Sequence, residues 1–349
     1  MVVNEKYMFR CLQLASYGKG YVAPNPLVGA VLVYQDRVIG EGWHKKFGMP
    51  HAEVNCINSV SEEDKSFIKD AVLYVSLEPC CHTGKTPPCT DLIIRQGIKK
   101  VVVACKDPFG MVNGGGIHQL KSHGVEVVEG VLEKEAKWLN KHFFTFHLFH
   151  RPYILLKWAQ TADGFMAGQN DTQRLMITGK TGNIFVHELR SEYAAIIIGT
   201  RTALLDNPRL TNRLIPGHSP VRIIIDKQLI IPLTHHLLND GKPTIVINEV
   251  KKEKKDNLEY VMPDFPEQPL LQTINSLLYL RGLNSLMVEG GKKFLDLFIS
   301  SKNWDEACVI TAMDKRILEG LKSPLLHNVH CINEIQLEND EVKVFLPNI

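Results

Sequence analysis

The sequence predicts an α/β protein built as two domains, and three observations carry that expectation. Strand-like apolar runs alternate with segments of helical period along most of the chain. Its 349 residues are enough for two separate cores. A helical stretch stops at Arg151-Pro152, because proline disfavours helix at the residue before it. The domains are therefore expected over residues 1–149 and 150–349.

In the first domain, Met8, Cys11, Leu12 and Ala15 fall at helical spacing and make one buried face. Residues 27–34 (LVGAVLVY) and Arg37–Trp43 read as a hairpin turned at Gln35-Asp36. A helix follows from His51, with Val54, Cys56 and Ile57 turned inward. The nearly continuous apolar run 71–77 suits a strand covered on both faces, and 100–105 suits another. Residues 89–96 form a short helix ended by Gly97, and 117–123 one ended by Gly124. A strand over 125–131 completes one mixed sheet with helices on both sides, and a helix over 133–149 leads to the seam.

The second series runs strand 153–158, helix 182–193, strands 194–198, 221–226 and 244–248, helix Leu270–Leu280, strand 285–289, helix Lys292–Ser300 and strand 307–310. No fixed-period repeat and no low-complexity linker interrupts it.

Composition narrows the function classes. Hydrophobic content of 44%, charged content of 22% and a net charge of +2 are those of a soluble globular protein with no dedicated nucleic-acid surface. Charges interrupt the N-terminal segment, so no signal peptide is expected, and no apolar run approaches a membrane span. Most of the eight cysteines are scattered through apolar segments, which argues against a disulfide framework and for a cytoplasmic protein.

The chemistry concentrates in EPCCHTGKTPPC (78–89) and in His51-Ala52-Glu53. Residues two apart on a helix point about 200° away from each other. His51 and Glu53 can thus share a site only at the helix's N-terminal end. Cys89 also opens a helix, where the positive end of the dipole favours a thiolate. One histidine and two cysteines leave the fourth tetrahedral position open, the arrangement of catalytic zinc, and a nearby non-ligand glutamate can shuttle protons. His-x-Glu followed by Pro-Cys is the signature of zinc nucleobase deaminases, whose cysteines normally have two residues between them; Cys80 and Cys89 have eight. A closed structural knot of Cys80, Cys81, His82 and Cys89 is the other reading, and it leaves His51 and Glu53 idle. Glu78 reads as a structural hydrogen-bonding carboxylate.

HAE (51–53), LEPC (77–80) and the run from His82 to Cys89, with NPLVG (25–29) and GEGWH (40–44) upstream, resemble the bifunctional riboflavin-biosynthesis deaminase/reductase family over nearly the whole chain. The resemblance implies a cytidine-deaminase-like three-layer domain followed by a dihydrofolate-reductase-like α/β domain. It implies one Zn2+ per chain on His51, Cys80 and Cys89, Cys81 a spectator, Glu53 catalytic, and Asn25, His44, His82 and Lys85 holding the deaminase substrate. That substrate would be a diaminopyrimidinone ribosyl phosphate, and the protein a homo-oligomer, dimer or tetramer.

In the second half no GxGxxG follows the first strand, so a doubly wound dinucleotide fold is not supported. LKWAQTADG (156–164), ITG (177–179), the run from Gly199 to Thr211 and VEGG (288–291) resemble the family's NADPH-dependent reductase half. By that resemblance Ala159, Met176, Thr202, Asp206, Lys227, Gly290, Gly291 and Lys292 lie along NADPH, and Lys157, Arg174, Arg190, Leu210, Arg213 and Glu289 face the substrate. Two departures stand out: Met176 occupies the place of a usual tryptophan, and residues 107–116 (DPFGMVNGGG) drift from the usual Asp-Pro-Asn-Pro run. The rival readings are a zinc deaminase of a free nucleotide or RNA with a regulatory second half, and a zinc-stabilised binding protein.

Overall fold

The structure, a computed structural model, describes residues 3–82, 87–110, 112–169, 176–263 and 269–348. Contacts divide the chain into two compact units, Met1–His150 and Arg151–Ile349.

The first unit runs α1 (Glu5–Ser16), β1 (Gly29–Tyr34), β2 (Arg37–Trp43), α2 (Ala52–Asn58), a 3-10 segment Glu62–Asp70, β3 (Val72–Val75), α3 (Cys89–Arg95), β4 (Lys100–Val103), α4 (Gly115–Ser122), β5 (Glu126–Glu129), α5 (Glu133–Leu139) and α6 (Lys141–Phe149). The sheet order is β2-β1-β3-β4-β5. β1 is antiparallel to β2 and β3, while β3, β4 and β5 are parallel. Gln35 and Asp36 both have positive φ, the geometry that matches a two-residue hairpin to strand twist.

Alternate residues of the strands feed two cores. Ala30, Leu32, Leu73, Val75 and Val101 pack with Cys56, Ile57, Ile93 and Leu120 of α2, α3 and α4. Val31, Val33, Tyr74 and Val102 pack with Met8, Cys11, Ala136 and Phe143 of α1, α5 and α6. Three layers result, as expected. α2 lies directly on the backbone of β2: a β-carbon at Gly42 would stand 2.3 Å from the Cys56 nitrogen.

Three local expectations change. Val54 is only half-buried, and Glu53 takes a buried place instead. The 133–149 helix is two helices, because Asn140 leaves helical geometry. Its buried amide instead brackets Leu27, accepting the Leu27 N–H at 2.7 Å and donating to the Leu27 carbonyl at 2.9 Å. The 3-10 segment, too polar to show a clear period, has no counterpart in the sequence reading.

The second unit runs β6 (Tyr153–Thr161), β7 (Phe165–Gly168), α7 (Lys180–Glu192), β8 (Ala195–Gly199), α8 (Thr200–Asp206), β9 (Val221–Ile225), α9 (His236–Asn239), β10 (Thr244–Ile247), β11 (Glu253–Lys255), β12 (Leu258–Val261), α10 (Leu270–Leu280), β13 (Ser285–Val288), α11 (Lys292–Ser300), β14 (Glu306–Ala312), β15 (Gly320–Lys322), β16 (Val329–Leu337) and β17 (Asp340–Pro347). Ten strands form one sheet in the order β11-β12-β10-β9-β8-β13-β6-β14-β17-β16. The seven from β12 to β14 are parallel, and the isoleucine-rich runs of β8, β9 and β10 are buried on both faces. Antiparallel β11, β17 and β16 finish the edges.

Candidate active sites

In the first unit the first site gathers at the N-terminal ends of two short helices. His51 caps α2 and Cys89 begins α3. His51 Nδ1 lies 3.6 Å from Cys80 Sγ and 3.4 Å from Cys89 Sγ, and the three ligand atoms all fall within 4.8 Å of one another. A tetrahedral zinc with Zn–S of about 2.3 Å and Zn–N of about 2.1 Å sets neighbouring N and S atoms about 3.6 Å apart. The donor set and its spacing therefore fit zinc.

Protonation follows the same geometry. The Cys89 N–H, at the start of α3, points to Cys80 Sγ at 3.4 Å. Hydrogen bonding from Cys89 first, and then His51, hold the Cys80 thiol down at about 4, although burial opposes this. Cys89 is pushed up, chiefly by hydrogen bonding with Cys80. The N–H at the start of α3 thus reaches Cys80 as well as belonging to the helix that Cys89 begins. Glu53 is 3% exposed, and burial followed by the charge of Cys80 raises its carboxyl to about 7.

Other residues converge here. His44 is buried, with its ring 5.5 Å from that of His51; Asn25 Nδ2 lies 3.2 Å from its Nε2, and the Pro50 carbonyl 3.2 Å from its Nδ1. His82 Nδ1 is buried with no hydrogen-bond partner, and its ring is 6.0 Å from that of Phe109. Cys81 Sγ turns to α4, where a β-carbon at Gly115 would stand 3.0 Å from it. Lys85 lies outside the described residues.

Glu78 explains the 107–116 run. Its buried carboxylate accepts the N–H groups of Asp107, Gly114 and Ile117 at 3.0 to 3.1 Å. A β-carbon at Gly116 would lie 2.0 Å from the Pro79 carbonyl oxygen, so the glycines let α4 press on the segment that carries Cys80.

The second unit brings together residues far apart in sequence. Glu289, just past β13, receives Arg190 Nη2 at 2.8 Å and Nε at 3.3 Å, and Lys157 of β6 stands 3.9 Å away. All three side chains are 11 to 13% exposed. Burial pushes the Glu289 carboxyl up, but Arg190 and Lys157 prevail and hold it at about 2. Two cations around one carboxylate leave a net positive, largely dry cluster, suited to an anion. Arg190 also reaches the Thr211 carbonyl at 3.5 Å.

The sequence also belongs to recognisable relatives. The family described as "Cytidine and deoxycytidylate deaminase zinc-binding region" matches residues 1–105, and "RibD C-terminal domain" matches residues 152–312. The riboflavin biosynthesis protein RibD of Aquifex aeolicus is 42% identical over 327 residues, 91% of this chain and 89% of the relative. The chain belongs to the RibD family.

It is thus a bifunctional enzyme of riboflavin biosynthesis, a zinc deaminase joined to a reductase. The RibD protein of Actinobacillus pleuropneumoniae is 37% identical over 334 residues, 93% of this chain and 82% of that one. A Thermotoga maritima structure described as a diaminohydroxyphosphoribosylaminopyrimidine deaminase/5-amino-6-(5-phosphoribosylamino)uracil reductase superposes with a TM-score of 0.89 at 36% identity, covering 99% of this chain and 98% of its own. Acinetobacter baumannii RibD gives 0.88 at 28% identity, covering 99% of each chain. The cytidine-deaminase-like domain and the reductase domain after it agree with this RibD architecture. No described helix is long and apolar enough to cross a membrane.

The residues expected along the nicotinamide cofactor are less tightly grouped. Gly291 caps α11, and a β-carbon on it would lie 3.5 Å from Thr202 Oγ1 of α8, which Asp206 ends. Lys292 pairs with Asp296 at 3.0 Å, and Lys227 with Glu249 at 2.8 Å. Ala159 is half-buried on β6; Met176 is exposed, its carbonyl held by Lys315 Nζ at 2.8 Å. Leu210 is buried with φ of 54°, and Arg213 is exposed beyond it. Arg174 lies outside the described residues.

Two residues escaped the sequence reading. Asp163 accepts the N–H groups of Ile317 and Leu318 at 3.0 and 2.9 Å, tying the TADG turn to the loop after β14. His187 is buried on α7 one turn before Arg190. A polar residue on the helix face that continues into the arginine was the available signal.

Proposed function

We propose that residues 1–149 deaminate 2,5-diamino-6-(5-phosphoribosylamino)pyrimidin-4(3H)-one hydrolytically, and that residues 150–349 reduce the ribosyl chain to the ribityl chain with NADPH. The observation that carries this reading is the triangle of His51, Cys80 and Cys89 with buried Glu53 beside it. These three would hold one Zn2+ per chain, which when bound supplies a Lewis acid and an acidified water near neutral pH.

Glu53 does the proton work. A carboxyl raised to about 7 exchanges protons near neutrality. Glu53 takes one from the attacking water and gives it to the ring nitrogen. It then takes the second from the hydroxyl now bonded to carbon and gives it to the amino group, whose C–N bond breaks to release ammonia. Asn25 and His44 orient the pyrimidine from the wall beside His51, His82 offers its unpartnered nitrogen, and Lys85 the charge for the phosphate. Cys81 stays a spectator, since its sulfur faces Gly115.

In the reductase half NADPH supplies the hydride for the ring-opened ribose carbonyl carbon. Gly290, Gly291 and Lys292 at α11, with Ala159, Met176, Thr202, Asp206 and Lys227, line its path. Arg190 and Arg213 take the substrate phosphate, with Leu210 and Arg174 alongside. Glu289 is held ionised at about 2 and orients Arg190 and Lys157 instead of donating a proton. The proton for the new hydroxyl then comes from Lys157. The protein works as a homo-oligomer in the cytoplasm.

Half-reactions separate the claims. Without NADPH the chain releases one ammonia per substrate and stops; added NADPH is then oxidised one for one. Oxidation of NADPH with no prior ammonia release would contradict the assignment, and NADH serving equally well would contradict the cofactor.

A further inference from the structure

His187 lies three residues before Arg190 on α7 and is fully buried. Its Nδ1 accepts the backbone N–H of Arg213 at 2.9 Å, and the Asn212 side chain stands 3.4 Å from the same nitrogen. A nitrogen that accepts carries no proton, so the neutral ring has its hydrogen on Nε2. Nε2 itself has no hydrogen-bond partner. Burial, then Arg190 and Arg213, bring the imidazole down to about 4, so the ring stays neutral and its lone pair stays available near neutral pH.

The segment it holds needs holding. Asn207 and Leu210 have φ of 38° and 54°, a region that L side chains rarely adopt. Three clamps secure the residues before Arg213. Asn207 Oδ1 accepts the His236 N–H at 2.9 Å, buried Arg222 donates to the Arg209 carbonyl at 3.1 Å, and Arg190 reaches Thr211. His187 is the clamp on Arg213 itself, and it sits on the helix that supplies Arg190.

We infer that His187 is a positioning residue for the reductase step: by fixing the main chain at Arg213 it sets that guanidinium beside Arg190, so that both meet the phosphate of the substrate. This rests on the reading of Arg213 as a substrate contact.

The two ring nitrogens give the test its contrast. An asparagine at 187 places an oxygen where Nδ1 stands, whereas a glutamine reaches the place of Nε2. On pre-deaminated substrate with NADPH, His187→Gln is expected to raise KM about tenfold, the worth of one hydrogen bond to a backbone donor, with kcat within about twofold. His187→Asn is expected to stay within about twofold in both. Arg213→Met should raise KM by itself, and adding His187→Gln to it should raise KM little further, because the two act through one contact. Thermal melts of the same preparations report that the second unit is folded, which ammonia release, a property of the first unit, does not.

If Arg213→Met leaves KM unchanged, the substrate reading fails and removes the ground of the proposal. If Arg213→Met raises KM but the effect of His187→Gln multiplies onto it in full, the positioning role is wrong. Should His187→Gln not fold, His187→Asn decides: a KM raised tenfold in a variant that keeps the acceptor overturns the inference.

Discussion

The two sites solve opposite electrostatic problems. In the first unit an imidazole, two sulfurs and a carboxyl, all electron-pair donors, crowd the ends of α2 and α3. In the second, Arg190 and Lys157 surround Glu289, so N–H donors outnumber the acceptor. The first arrangement calls for a cation and the second for an anion. The responses of single groups follow. Burial, with the charge of Cys80 behind it, raises Glu53 to about 7, while two adjacent cations overcome burial and hold Glu289 at about 2. Similar burial thus yields a carboxyl that exchanges protons in one unit and a fixed charge in the other.

The sharpest way to break this contrast is to remove one donor from the first set. Cys89→Ser is expected to lose zinc in metal analysis and to cut ammonia release by a factor of about 1,000 or more, while reduction of pre-deaminated substrate persists. Cys81→Ser should keep both zinc and activity. Equal zinc loss in the two variants would mean that the ligand set is misassigned.

A backbone change comes next in size. Gly116→Ala drives a β-carbon into the Pro79 carbonyl, so α4 must shift from the segment bearing Cys80. Thermal or urea melts should show about 2 kcal/mol or more of destabilisation, with zinc occupancy falling alongside. Unchanged melting would show that the contact relaxes freely.

The smallest effect concerns pH. Glu289 is held below its unfolded value, so its contribution is full above about pH 4.5 and is lost as pH falls towards 2. Integrated over the whole window it is on the order of 3 kcal/mol, of which the step from pH 6 to pH 4 removes only about 1 kcal/mol. Urea midpoints compared between pH 6 and pH 4 should fall further for the native chain than for Glu289→Gln. Parallel declines would mean that the carboxylate is not held ionised by its neighbours.

The difference between the sites also explains what could be read from sequence. The metal centre was legible because its parts sit in two short motifs at element ends, and helix geometry lets His51 and Glu53 share a site only there. That the Cys89 N–H also reaches Cys80 was not, since the two meet only through the fold. The parallel strands of both sheets showed as apolar runs, except β12, whose four residues LEYV are mostly half-buried. The hairpin of β16 and β17 did not, because β16 is mostly exposed and its alternation of Val329, Cys331, Ile335 and Leu337 is broken at Ile332 and Asn333. α8 spans only seven residues, too short to establish a period. The Arg190–Glu289 pair joins residues 99 apart, and no local pattern announces it. His187 stayed hidden for the same reason: its partner is a backbone N–H 26 residues away.

The most direct test of two independent sites is Glu53→Gln assayed twice on one preparation. Ammonia release from the diaminopyrimidinone ribosyl phosphate should fall by about 100-fold to 10,000-fold with zinc retained. NADPH oxidation on pre-deaminated substrate should be unchanged. Loss of both activities in a folded, zinc-loaded chain would contradict the account.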